Sequence, residues 1–97
     1  MKSLSEVKRI ISENKKELER RFNIQHIGVF GSFVNDRQSL KSDIDILVDF
    51  KEPVDFFDFL ELEEHLSELL AMRVDLVMKS ALRPKIGERI LREVIYV

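Results

Sequence analysis

The run Asp43-Ile44-Asp45-Ile46-Leu47-Val48-Asp49-Phe50 limits the folds open to this chain more than any other stretch. Side chains alternate across a β-strand, so Ile44, Ile46 and Val48 share one face while Asp43, Asp45 and Leu47 share the other. Such a strand belongs in a sheet with one face on a core and the other open to polar chemistry. Carboxylates at i and i+2 leave the backbone about 6–7 Å apart on the same side. Without a counter-ion they repel each other and lose hydration, whereas their oxygens converge readily on one hard cation.

The flanking sequence supplies the rest of that sheet. Ser3 and Glu6 spell a capping box, and Leu4, Val7, Ile11, Asn14, Leu18 and Phe22 recur at three- and four-residue spacing, which predicts a helix over 4–21 ended by Asn23. Residues 24–30 are short, apolar and β-branched and run into Gly31-Ser32, so a strand feeds a tight turn. A short helix is predicted over 32–36 and a loop over 37–42. Pro53 breaks the chain, Asp55 is the predicted N-cap, and 56–71 reads as a helix. Its apolar arc is Phe56, Phe59, Leu60, Leu62, Leu66, Leu69 and Leu70. Residues 73–78 form a third strand, Val74 and Leu76 facing one way and Asp75 and Val77 the other. Ser80 is the predicted cap of a last helix around 84–92, and 94–97 makes a short strand. The fold class is therefore α+β: a small mixed β-sheet packed by α-helices on one face, as a single domain over residues 1–97.

Composition removes several function classes. Sixteen Lys and Arg against eighteen Asp and Glu give a net charge of −2, without the electropositive footprint that holds a long nucleic acid. The absence of Cys removes disulfides, Cys-ligated zinc and thiol nucleophiles, and fits a cytoplasmic protein. No apolar run approaches the ~20 residues that span a bilayer.

The chemistry concentrates in Gly31-Ser32, ten further residues, then Asp43-Ile44-Asp45. Glycine at a strand-to-helix junction lets backbone N–H groups approach a ligand, and with the Ser32 hydroxyl they form a phosphate cradle. Asp75 adds a third carboxylate if its strand neighbours residues 43–50. A phosphate cradle beside carboxylates that hold Mg²⁺ defines a nucleoside triphosphate site, at which an acceptor hydroxyl attacks the α-phosphate and pyrophosphate leaves.

The stretch Ile27-Gly28-Val29-Phe30-Gly31-Ser32-Phe33 through Ser42-Asp43-Ile44-Asp45-Ile46-Leu47-Val48 resembles the signature of the DNA polymerase beta superfamily of nucleotidyltransferases. With Arg73-Val74-Asp75-Leu76-Val77 as the third-carboxylate strand, the chain is similar over nearly its full length to the minimal nucleotidyltransferases, MntA-like antitoxins paired with HEPN-domain toxins. The resemblance implies a nucleotidyltransferase-like fold in which Gly31 and Ser32 bind triphosphate and Asp43, Asp45 and Asp75 are catalytic. Asp43 and Asp45, with Asp75, would hold two Mg²⁺ ions, and Asp75 would position or deprotonate the acceptor. It implies transfer of AMP from ATP to a hydroxyl, a tyrosine, of a HEPN-type toxin in trans, as the antitoxin of a type VII pair. Where relatives often read Gly-Ser-Phe-Ala-Arg-Gly, this chain has Val34-Asn35-Asp36, which leaves Arg37, with Lys41 behind it, as the cation for the triphosphate. Asn35 and Asp36 also fit a catalytically weak module that neutralises its toxin by contact. Transfer to a small molecule such as an aminoglycoside is a third reading, although 97 residues leave little to hold one.

Other residues are read as structural. His26 and His65 lack paired-ligand spacing and are assigned to strand and surface rather than metal. Phe22, Phe30, Phe33, Phe50, Phe56 and Phe59 are assigned to the core. Phe57 falls among Glu61, Glu64 and Glu68 on the helical wheel and is the candidate partner anchor. Residues 55–70 carry six acids and no Lys or Arg, while 79–93 are mostly basic.

Overall fold

A computed structural model of the chain describes residues 3–34 and 43–97. Helix α1 spans Leu4–Phe22, with the Ser3 hydroxyl accepting from the Glu6 amide at 3.2 Å and Asn23 closing it in the left-handed region. Strand β1, Ile24–Phe30, follows directly and ends in a 3₁₀ turn over Gly31–Phe33. Strand β2 is Ile44–Phe50 and helix α2 is Phe56–Leu70, the latter capped by Asp55, whose carboxylate accepts from the Asp58 amide at 2.8 Å. Strand β3 is Val74–Met78, α3 is Pro84–Glu93 and β4 is Ile95–Tyr96.

The four strands form one mixed sheet in the order β3-β2-β1-β4. Strands β1 and β2 are antiparallel, as are β1 and β4, while β2 and β3 run parallel with α2 as the crossover. Helices α1 and α2 cover one face. Val7, Ile11, Leu18 and Phe22 from α1 and Leu62, Leu66 and Leu70 from α2 meet Ile27, Val29, Ile44, Ile46, Val48, Val74 and Leu76 from the sheet. Alternation in β1 carries a register shift between Ile24 and His26 that leaves Gln25 without a partner, and this bulge returns Ile24 to the core face. An Arg21–Glu61 ion pair at 2.9 Å ties the two helices together on the outside.

Three sequence expectations change. Ser80 does not cap α3: it lies in a 3₁₀ turn over Lys79–Ala81, and α3 starts from Arg83 with no side-chain cap and Pro84 in its first turn. Proline lacks an N–H there, so one of the donors a cap would satisfy is missing. Phe56 is not core but 66% exposed, and Leu60 is exposed with it; the buried stripe of α2 begins nearer Leu62. Phe57 is 78% exposed, as its acidic neighbours imply. Helices are also not confined to one face. The end of α3 comes over the other, where a Cβ on Gly28 would sit 2.7 Å from Val94 Cγ2, before the chain enters the sheet as β4. The predicted short helix begins at Gly31; residues 35–36 of it, and the loop over 37–42, lie outside the described residues.

Candidate active site

Gly31 ends β1 with φ +78, a left-handed conformation that L side chains rarely adopt. A Cβ at this position would also collide with Oδ2 of Asp45. Glycine is therefore required twice, once by the turn and once by the carboxylate packed against its Cα. The turn is closed by the Val34 amide donating to the Gly31 carbonyl at 3.0 Å and is anchored by Phe33, which is buried. Ser32 remains half-exposed between these anchors, where its hydroxyl and the turn's backbone can meet a ligand.

The strand registers gather the acids. Asp45 lies opposite Phe30 on β1 and directly opposite Asp75 on parallel β3, so the neighbouring-strand condition for a third carboxylate is met. Asp45 is half-buried, and its carboxyl is raised from the usual 3.8 to about 6. Burial is the largest cause, followed by repulsion from Asp75 and then Asp43, and a carboxyl proton shared with Asp75 adds to it. Asp43 stands just before β2 and is exposed; its Oδ1 lies 4.0 Å from Arg73 Nε, the one cation near the trio among the described ion pairs. That pair is long and solvated, and contributes little. Among the described residues no three His, Cys, Asp or Glu side chains already stand at metal-ligating distances. The residues that could hold a hard divalent ion are Asp45 and Asp75, side by side on β2 and β3, with Asp43 two residues before Asp45. Arg37 and Lys41 lie outside the described residues.

Two side chains of α2, not singled out by sequence, hold Asp75 in place. Strand β3 is an edge strand, and its outward amides need partners. Glu63 Oε2 accepts from the Leu76 amide at 3.0 Å, and the Ser67 hydroxyl accepts from the Val74 amide at 3.3 Å while donating to the Glu63 carbonyl at 2.9 Å. The residues on both sides of Asp75 are thus fixed from α2. Glu63 and Ser67 also line, with Asp43, Leu60, Glu64, Met72, Arg73 and Asp75, an open groove of about 830 Å³. On the opposite flank Phe30, Gly31 and Ser32 face Ile86, Arg89, Ile90 and Glu93 of α3 across a second cleft. Ile86 and Ile90, four apart, were the signal for that wall, obscured by the basic charge around them. The histidines are placed as expected: His65 packs on Phe22 with ring centroids 5.6 Å apart, and His26 meets Tyr96 edge-on at 5.9 Å.

Residues 11–97 match the family model for the nucleotidyltransferase domain. The protein adenylyltransferase MntA of Thermococcus cleftensis is 52% identical over 97 residues, covering 100% of this chain and 98% of that protein. A solved minimal nucleotidyltransferase structure superposes with a TM-score of 0.75 at 32% identity, covering 92% of this chain and 93% of that one. A chain from a toxin–antitoxin crystal structure with AMP-PNP superposes with a TM-score of 0.71 at 27% identity, covering 87% and 69% respectively.

Proposed function

We propose that this chain, which belongs to the nucleotidyltransferase domain family and to its minimal, MntA-like members, transfers AMP from ATP to a hydroxyl of a HEPN-type toxin and so acts as an antitoxin. The observation that carries the reading is the trio Gly31, Asp45 and Asp75. A carboxylate packed on a left-handed glycine and paired across the strands with a second carboxylate supports reading the Gly31 turn as a phosphate cradle and the two acids as cation ligands. The 52% identical relative is named a protein adenylyltransferase, and a structural neighbour is a toxin–antitoxin pair with an ATP analogue, which supports both the reaction and the class of partner.

Each residue then has a defined task. Gly31 and Ser32 bind the triphosphate through backbone N–H groups and the Ser32 hydroxyl. Mg²⁺ would be held by Asp43, Asp45 and Asp75, and it supplies charge neutralisation at the phosphates. Asp75 lies on the edge strand with its side chain exposed, so it is placed to orient an acceptor hydroxyl arriving along the groove beside α2 and to take its proton. The acceptor oxygen bonds to the α-phosphorus, the bond to the β-phosphate oxygen breaks, and pyrophosphate leaves. Arg37 is the proposed cation for the departing phosphates. No described helix is long and apolar enough to cross a membrane, and a Cys-free chain suits the cytoplasm.

Intact-mass spectrometry tests this directly. Incubation with the cognate HEPN-type protein, ATP and Mg²⁺ should add about 329 Da, the mass of one transferred AMP group, per modified hydroxyl. The contact-only reading draws support from Phe56 and Phe57, two adjacent rings held in the open at 66% and 78% exposure. A tight complex with no mass gain under any nucleotide would establish it and reject transfer.

A further inference from the structure

Every large hydrophobic side chain that stands exposed among the described residues belongs to one of two surfaces. Phe56, Phe57 and Leu60 are on α2, while Ile86, Leu91 and Tyr96 are on α3 and β4. The two surfaces carry opposite charge. On α2, Phe57, Glu61, Glu64 and Glu68 follow at four-, three- and four-residue spacing and form one exposed stripe. On α3, Lys85, Arg89 and Arg92 form an exposed basic stripe at spacings of four and three, with Glu88 beside them offsetting part of that charge. Glu61 is paired with Arg21 at 2.9 Å and Arg89 with Glu93 at 3.6 Å. Glu64, Glu68, Lys85 and Arg92 enter none of the described ion pairs.

We infer that these surfaces are the two halves of one self-association interface, with α2 of one copy lying antiparallel against α3 of a second copy. The spacings match in that direction. From Glu61 the acids advance by three and then four residues, and from Arg92 the bases return by three and then four. Glu61 therefore faces Arg92, Glu64 faces Arg89 and Glu68 faces Lys85 over about 10 Å of helix axis. A parallel pairing puts the middle pair one residue out of step. Leu60 precedes Glu61 as Leu91 precedes Arg92, and antiparallel helices turn those flanks to the same side, so the two exposed leucines meet. Phe57, one turn before Glu61, falls over the end of α3, where the chain continues to Tyr96. The contact is short, so the association is weak and its specificity rests on charge. It covers Phe57, and a second copy thus competes with a toxin for α2. Gly31, Ser32, Asp43, Asp45 and Asp75 take no part, so the inference stands apart from the transfer reading.

Sedimentation equilibrium of the protein alone tests it. The weight-average mass should rise above 11.5 kDa as concentration increases at low salt. It should return to the monomer value in about 0.5 M NaCl, where the screening length falls to about 4 Å. Two charge-reversed variants, Glu61→Lys with Glu68→Lys and Lys85→Glu with Arg92→Glu, should each associate at least tenfold more weakly on their own. An equimolar mixture of the two should associate like wild type, because each altered stripe again meets its opposite. Lys8→Glu with Lys16→Glu, which changes net charge as the second variant does but lies on α1, should also associate like wild type. A wild-type protein that stays monomeric throughout overturns the inference and leaves the acidic stripe to a partner of other sequence. Association that survives salt or the reversals, or a mixture that stays monomeric, overturns it as well.

Discussion

Asp45→Asn should make the protein more stable at neutral pH, an uncommon expectation for a substitution in a half-buried position. The native state holds the Asp45 carboxyl at about 6 against an ordinary 3.8. An acid whose native pKa is raised binds more protons folded than unfolded, so stability falls as pH rises between 3.8 and about 6 and stays reduced above that window. The full shift corresponds to roughly 3 kcal/mol. Because the group keeps substantial contact with solvent, screening reduces this to about 1–2 kcal/mol. Asparagine removes the charge, keeps the shape and can donate an amide hydrogen to Asp75. For a domain of this size the gain is about 5–10 °C in Tm. Thermal unfolding of both proteins from pH 4 to pH 8 in EDTA is the assay. The difference should be small at pH 4, grow through pH 5 to 6 and level off by pH 7. Added Mg²⁺ should raise the wild-type midpoint and narrow the gap. A variant no more stable than wild type at pH 8, or a gap that does not change with pH, would refute the claim that unpaired charge is stored at Asp45.

Gly31→Ala should cost about 2 kcal/mol or more, from the left-handed backbone and the collision with Asp45, and calorimetry should find ATP affinity reduced with it. Asp75→Asn should retain most ATP affinity but lose AMP transfer in the mass assay; loss of binding as well would make Asp75 a nucleotide-site ligand first. Glu63→Ala should speed hydrogen exchange at the Leu76 amide, which it now accepts from, with protection of the β1 core amides retained. Phe57→Ala should shift stability by less than about 0.5 kcal/mol, because the ring is already solvated, yet weaken association with the toxin about tenfold or more. Unchanged association would dismiss Phe57 as the anchor.

Elements with a strong local period were legible in the sequence. The alternation of Ile44, Ile46 and Val48 against Asp43 and Asp45 determines both the strand and its face, and Ser3, Asn23 and Asp55 mark helix ends by the hydrogen bonds or backbone angles their side chains favour. Asp75 was legible as well, since its phase within β3 follows from Val74 and Leu76. Phe56 was misread for a definite reason. A helical wheel gives the angle of a side chain but not whether anything lies beneath that turn, and at the start of α2 only Phe59 packs against the core while Phe56 stays in solvent. Ser80 was misread because a capping residue type occurred where Pro84 starts the helix unaided. Glu63 and Ser67 left no local signal, because their partners are backbone amides on another strand.

The two faces of this sheet explain how so small a fold tolerates an unpaired acidic cluster. One face is sealed by α1 and α2, and no buried polar or charged residue occurs among the described ones, so favourable burial concentrates there. The other face carries the repulsion among Asp43, Asp45 and Asp75 at the end of the strands, where water and a cation can reach it. Placing Asp75 on an edge strand leaves its outer side open, as its proposed role toward an acceptor requires, but an edge strand is also the part of a sheet most prone to fray. Glu63 and Ser67 answer that conflict by satisfying the amides at 74 and 76 from α2, neither of them bonding the carboxylate between. Removing either should therefore loosen the position of Asp75 without filling the groove in front of it. The rate of transfer should then fall further than the affinity for ATP, and an equal loss of both would show that the edge bonds support the whole sheet rather than the acceptor side of the site.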